Sequence, residues 1–253
     1  MKRVLILGGT GEAVAFANDF GRRAGIGAVY SLAGRTRTPA VPDCDVRRGG
    51  FGGAEGLVRY VANTQIAAIV DMTHPYAARM AANARAASEA TGVPLFKYLR
   101  PAWEEPPDAP WRHAETASDA ARIVGERGFG RVFLSSGLND VDAFSSLTEV
   151  WFLVRGIDPP ETAPALASHH FLAARGPFGI AAEKALMQAW RVDALVSKNS
   201  GGGATQAKLA VARQLGIPVL MLQRPTLPAA DEQFDDEAGC VERVLGWYGC
   251  RVQ

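Results

Sequence analysis

The run Ser197-Lys198-Asn199-Ser200-Gly201-Gly202-Gly203 concentrates more potential chemistry than any other stretch of the chain. An apolar segment leads into it, and a helical pattern over residues 205–215 follows it. Glycine admits positive φ and lets a ligand come close to the main chain. Ser, Lys and Asn place donors at the mouth of the turn. A strand, a polar glycine turn and a helix N-terminus together suit an anionic ligand. Read alone, the stretch also fits an ordinary strand-to-helix loop. Similar turns elsewhere in the chain favour the ligand.

Gly8-Gly9-Thr10-Gly11-Glu12 follows the first apolar strand and opens the first helix, the setting a dinucleotide fingerprint requires. The spacing departs from G-x-G-x-x-G, because Val14 stands where a third glycine would be. Backbone N–H groups near Thr10 and Gly11 can still hold a pyrophosphate at the helix N-terminus. The second strand ends in Leu32-Ala33-Gly34-Arg35-Thr36-Arg37, with no carboxylate to take a ribose 2′-hydroxyl. Arg35, Thr36 and Arg37 suit a 2′-phosphate instead, which makes NADPH the expected cofactor.

Gly50, Phe51, Gly52 and Gly53 form a segment able to lie flat against a ligand; otherwise Phe51 tucks into the core. Asp71, Thr73 and His74 fall just after another apolar strand, at the sheet edge where open α/β folds bind ligands. Thr73 or His74 equally suits a cap of the next helix, ahead of Pro75. Arg175, in Arg175-Gly176-Pro177-Phe178, and Lys198 supply cations. Arg100, Arg155, Lys208, Arg213 and Arg224 are expected to gather with them around an anionic substrate, unless Lys208 and Arg213 only make surface pairs. No metal set emerges: His169 and His170 are adjacent and cannot share one helix face. G-x-S-x-G and Walker A patterns are absent.

Apolar strands alternate with helical patterns throughout, which predicts an α/β protein of two Rossmann-like parallel-sheet domains with a cleft between them. Strands are expected at residues 4–7, 28–32, 45–47, 66–70 and 94–96, then at 131–134, 150–154, 194–196 and 218–222. Helices are expected at 12–20, 54–62, 77–91, 116–126, 180–190, 205–215 and 236–247. Four prolines and two tryptophans between Tyr98 and Trp111 mark a boundary. Residues 1–98 are therefore expected to bind NADPH and residues 99–253 the substrate. The 253 residues carry a net charge of +1, which argues against nucleic acid or an acidic membrane as partner. No apolar run is long enough to cross a bilayer, and the N-terminal run ends in a glycine turn, so a cytoplasmic location is expected. Cys44, Cys240 and Cys250 are widely spaced and read as free thiols.

The ordered set of motifs resembles the precorrin-6A reductase family of cobalamin biosynthesis across nearly the whole chain. It comprises Leu7-Gly8-Gly9-Thr10 with Glu12-Ala13, Gly50-Phe51-Gly52-Gly53, Asp71 with Thr73-His74-Pro75, and Arg100-Pro101 with Trp103. It continues through Ala174 to Phe178, Ser197 to Gly201, Lys208, Arg213, Gly216-Ile217-Pro218 and Arg224-Pro225. The resemblance implies hydride transfer from NADPH to one ring double bond of a polycarboxylate, tetrapyrrole-derived substrate, giving precorrin-6B. It also implies transient contact with neighbouring pathway enzymes. Gly8, Gly9, Thr10 and Gly11 would then hold the pyrophosphate, while Gly50–Gly53 and Thr73–Pro75 would border the nicotinamide and substrate. Arg175, Lys198, Asn199, Ser200 and Gly201 would bind the substrate side chains. Lys198 is the expected cation nearest the reacting bonds. For the proton, Lys198, His74, Asp71 and water stand as candidates. A reductase of small carbonyls and a non-catalytic dinucleotide sensor are the alternatives; the first lacks a Tyr-x-x-x-Lys pair.

Overall fold

The computed structural model describes residues 3–24, 27–34 and 37–252. The chain begins with strand β1 (Arg3–Leu7), helix α1 (Gly11–Ala24), β2 (Gly27–Leu32), β3 (Asp45–Arg48), α2 (Gly53–Asn63), β4 (Ile66–Asp71), α3 (Ala78–Thr91) and β5 (Leu95–Tyr98). It continues with β6 (Arg112–Ala114), α4 (Ala117–Arg127), β7 (Arg131–Ser135), a 3₁₀ helix (Leu138–Phe144), β8 (Trp151–Gly156) and β9 (Ser168–Ala173). It closes with α5 (Ile180–Ala189), β10 (Ala194–Lys198), α6 (Ala207–Leu215), β11 (Val219–Leu222), β12 (Glu232–Phe234) and α7 (Glu237–Val252).

Among the described residues these strands form two six-stranded sheets, β12-β5-β4-β1-β2-β3 and β6-β11-β10-β7-β8-β9, and every pairing is parallel. The central strands read as near-continuous apolar runs because helices cover both faces of a parallel sheet. In β1 the run Val4 to Leu7 is almost wholly buried. Val4 and Ile6 pack with Phe16, Phe20, Tyr30 and Val244 on one face, while Leu5 and Leu7 pack with Leu57, Val61 and Ile69 on the other. Phe133, Leu153, Leu195, Val211 and Met221 form a core of the second sheet.

The two sheets share one strand order. Each starts at its centre (β1 or β7), steps twice one way, and then returns to the other side of the starting strand. This is the doubly wound pattern with its switch point beside the first strand. The sixth strands are exchanged: β6 follows β5 in the chain but joins the second sheet, and β12 follows β11 but joins the first. The compact units are accordingly residues 1–101 with 225–253, and residues 102–224. This corrects the expected division at residue 98 into two contiguous halves. The C-terminal helix belongs to the first unit, where Val244 and Tyr248 enter the core with Phe16 and Phe96. Strands β6, β9 and β12 were not expected. β6 and β12 are three residues each and lack any apolar run, and β9 is mostly polar at its start. Lys198 closes β10 instead of opening the turn beyond it.

Candidate active site

In the first unit the strand order reverses between β1 and β4, whose last residues Leu7 and Asp71 are register partners. Ligands of open α/β sheets bind outside the carboxyl ends of strands at such a point. Gly8 lies flat on the buried Tyr30 ring, and an added Cβ would sit 2.2 Å from Tyr30 Cζ. Gly9, at φ +115°, donates its N–H to Tyr30 Oη at 3.0 Å. Burial pushes the Tyr30 phenol up, so it keeps its proton and braces the turn. Thr10 caps α1: its Oγ1 accepts from Ala13 N–H at 3.1 Å and donates to Met72 O at 3.1 Å, tying the turn to the end of β4. A Cβ on Gly9 or Gly11 would meet nothing within 4 Å. The turn is therefore open above its backbone at a helix N-terminus, which fits a pyrophosphate. Glu12 in the first turn of α1 is paired with Arg100 at 2.6 Å.

Beyond β2, Ala33 and Gly34 are exposed and no acidic residue follows the strand. Arg35 and Thr36 lie outside the described residues, and Arg37 is exposed. The Gly50–Gly53 segment is stitched down by Arg47, a residue that sequence reasoning missed. Its guanidinium donates to the carbonyls of Gly49 and Gly50 and sits 3.8 Å from the Phe51 ring centroid. Phe51 also meets Tyr60 edge-on at 5.2 Å. Gly56 must lack a side chain, since its Cβ would lie 1.7 Å from Phe51 O. The ring is thus held while Gly50, Gly52 and Gly53 have open space where a Cβ would be.

At the end of β4, Asp71 is buried and fully engaged. Its Oδ2 accepts from Lys97 Nζ at 2.6 Å, and its Oδ1 accepts from Thr73 N–H at 3.0 Å and Thr73 Oγ1 at 2.6 Å. His74 Nδ1 accepts from Tyr76 N–H at 3.3 Å, inside the turn that precedes α3. Pro75 lies in that turn and not in the helix, which begins at Ala78. Thr10, Met72, Thr73, Pro75, Tyr98 and Arg100 line a small recess there.

In the second unit, β7, β8 and β10 bring Ser135, Arg155 and Lys198 to the carboxyl edge. Lys198 Nζ lies 2.7 Å from Asp140 Oδ2 of the 3₁₀ helix; the contact is an ion pair whose approach is poorly aligned for a hydrogen bond. Asn199 is spent on Trp103: Oδ1 accepts from Trp103 N–H at 2.8 Å and Nδ2 donates to Trp103 O at 3.1 Å. Trp103 Nε1 donates to Gly202 O at 2.9 Å, and Arg224 Nε donates to Asn199 O at 2.7 Å. Ser200 N–H bonds back to Lys198 O, and Gly201 and Gly202 take φ of +70° and +74°. The Arg175–Phe178 loop is fastened to the same turn, with Phe178 N–H donating to Ala204 O at 3.0 Å. Arg175 itself is exposed.

The expected gathering of cations is only partly present. Arg155 is buried against Glu183 at 2.6 Å, and Lys208 is buried on α6. Arg213 makes an exposed pair with Asp108, and Arg100 belongs to the first unit. Burial overturns the surface reading of Lys208, because it lies on the inner face of α6 next to Leu209 and Val211. His169 bonds to Leu166 O and His170 stacks on Trp190, and among the described residues no group of three or more potential metal ligands forms. No helix of the described residues is long and apolar enough to cross a membrane.

An open glycine turn at the switch point of a doubly wound parallel sheet, capped by a helix N-terminus, defines a dinucleotide-binding α/β protein. Residues 3–247 match the family model described as precorrin-6x reductase CbiJ/CobK, and the chain belongs to that family of oxidoreductases. A precorrin-6A reductase of Rhodococcus erythropolis is 51% identical over 250 residues, covering 98% of each chain. One of Mycobacterium tuberculosis is 41% identical over 249 residues, covering 98% of this chain and 97% of its own. The solved structure titled CobK precorrin-6A reductase superposes with a TM-score of 0.88 at 37% identity, covering 99% of this chain and 97% of that one.

Proposed function

We propose that this chain binds NADPH at the carboxyl edge of its first unit and reduces precorrin-6A to precorrin-6B in cobalamin biosynthesis. The observation that carries the reading is the open Gly9–Gly11 turn at the switch point, in a chain 51% identical to a precorrin-6A reductase. Bound NADPH would supply the hydride. Gly8 to Gly11 would hold the pyrophosphate, and Arg35, Thr36 and Arg37 would take the 2′-phosphate. Gly50, Phe51, Gly52 and Thr73 would border the nicotinamide.

The protein's own contribution is orientation and charge. Asp71 fixes Thr73 and is itself held by Lys97, which together engage both of its oxygens. A neutral His74 carries its proton on Nε2, since Nδ1 accepts from Tyr76. Giving that proton up would leave imidazolate, so His74 can serve as a donor only once Nδ1 is also protonated, at the expense of the Tyr76 contact. Lys198, Ser200 and Arg175 would meet the carboxylates of a polycarboxylate substrate, with Asn199 holding the turn in shape.

The test is NADPH oxidation on addition of precorrin-6A, followed by absorbance, with precorrin-6B identified by mass. Tight NADPH binding with no turnover of precorrin-6A would overturn the assignment.

A further inference from the structure

Beneath the Ser197–Gly203 turn lies a buried polar cluster that the proposed chemistry does not use. Lys208 on α6 is 3% exposed, and its Nζ sits 5.0 Å from the Trp103 ring centroid. Trp103 is the residue that grips Asn199 through its backbone and Gly202 through its indole N–H. Two charged groups act on Lys208: Arg155 from β8 and Glu183 from α5. Arg155 and Glu183 pair at 2.6 Å, and Arg155 also lies against the Phe133 and Phe178 rings. Glu183 Oε2 and Ser136 Oγ are buried and accept no hydrogen bond. The cluster thus sets two basic side chains against one carboxylate in the buried interior.

We propose that Lys208 is a positioning residue for the substrate turn: its ammonium, seated against the Trp103 ring, holds Trp103 and through it Asn199 and Gly202. A desolvated ammonium facing an indole is strongly attracted to the ring, whereas a neutral amine is not. Burial and the Arg155 guanidinium push Lys208 down to about 7, against the opposing pull of Glu183. The clamp is therefore engaged below about pH 7 and released above it. Substrate binding that needs the ordered turn favours the protonated lysine by linkage. This inference rests on the proposed role of the turn in binding a polycarboxylate substrate.

Two measurements test it. The first uses the substrate-free protein and takes the difference in tryptophan emission between the chain and Trp103→Phe. That difference should titrate near pH 7 in the parent, and should be flat across neutrality in Lys208→Met and in Lys208→Arg. The second is the KM for precorrin-6A at saturating NADPH. It should rise about tenfold between about pH 6 and about pH 8.5 in the parent, stay high in Lys208→Met and stay low in Lys208→Arg, with NADPH affinity unchanged. A Lys208→Met protein that keeps the parent's pH profile in both measurements overturns the proposal. So does a Trp103 signal that titrates while KM is flat in all three proteins. If neither variant folds, an emission difference that is flat in the parent overturns it. Failure of the functional reading looks different: Lys198→Ala would then leave KM and kcat untouched, whatever Trp103 does.

Discussion

Asp71 and Lys97 stand directly opposite each other in the β4–β5 ladder, and Lys97 Nζ reaches Asp71 Oδ2 at 2.6 Å with both side chains almost wholly buried. The pair ends the central part of the first sheet, and the other carboxylate oxygen fixes Thr73. Removing one partner strands the other charge in the interior. Lys97→Met should therefore cost about 3–5 kcal/mol of stability, and Asp71→Asn a similar amount. The double variant should recover much of the loss, because no unpaired charge remains. Urea denaturation of the four proteins checks this. Equal, additive losses would mean that the two charges do not act as a pair.

Gly11 is the position at which to test the cofactor turn. Gly9 sits at φ +115°, where any side chain strains the backbone, and a Cβ on Gly8 collides with Tyr30. Both changes should lower stability regardless of ligand. A Cβ on Gly11 meets nothing in the protein. Gly11→Val should leave the melting temperature nearly unchanged and weaken NADPH at least roughly tenfold, about 1.4 kcal/mol or more, by occupying the space over the turn. Calorimetric titration that returns the parental Kd would place the nucleotide elsewhere.

Arg35 and Arg37 should confer a preference for NADPH over NADH. One charge-assisted phosphate contact is worth roughly 1.5–3 kcal/mol, or about tenfold to a hundredfold in affinity. Arg35→Ala should weaken NADPH by that factor and leave NADH alone. The reading fails where both cofactors weaken alike.

Lys198 has a rival for its charge in Asp140. A substrate carboxylate that binds Lys198 must compete with that residue. Lys198→Ala should raise KM about tenfold if the ammonium only binds, or lower kcat if it stabilises charge as hydride arrives. Asp140→Asn should lower KM, because a competing anion is gone. NADPH affinity should hold in both. Unchanged steady-state constants in Lys198→Ala would remove the residue from the site.

What local chemistry dictates was legible from residue types alone. Val4 to Leu7, Ile66 to Val70 and Leu195 to Val196 are apolar on both faces, so their burial in a parallel sheet is written into residue type. Gly8 to Gly11 and Asn199 to Gly203 announce their turns through glycine and donor content, and the structure puts both at carboxyl edges of sheets. Tertiary structure alone decided the exchange of sixth strands. Arg112 to Ala114 and Glu232 to Phe234 are short and largely polar, and nothing local says which sheet they complete. It also decided the roles of charged side chains. Asn199 reads as a ligand donor, and only the fold shows Trp103 bonded to both ends of its amide; Lys208 reads as a substrate cation or a surface one, and only the fold turns it inward against Trp103. A charge carries no mark of its own burial; only the residues packed around it, distant in sequence, set whether it meets solvent, a partner or a ring.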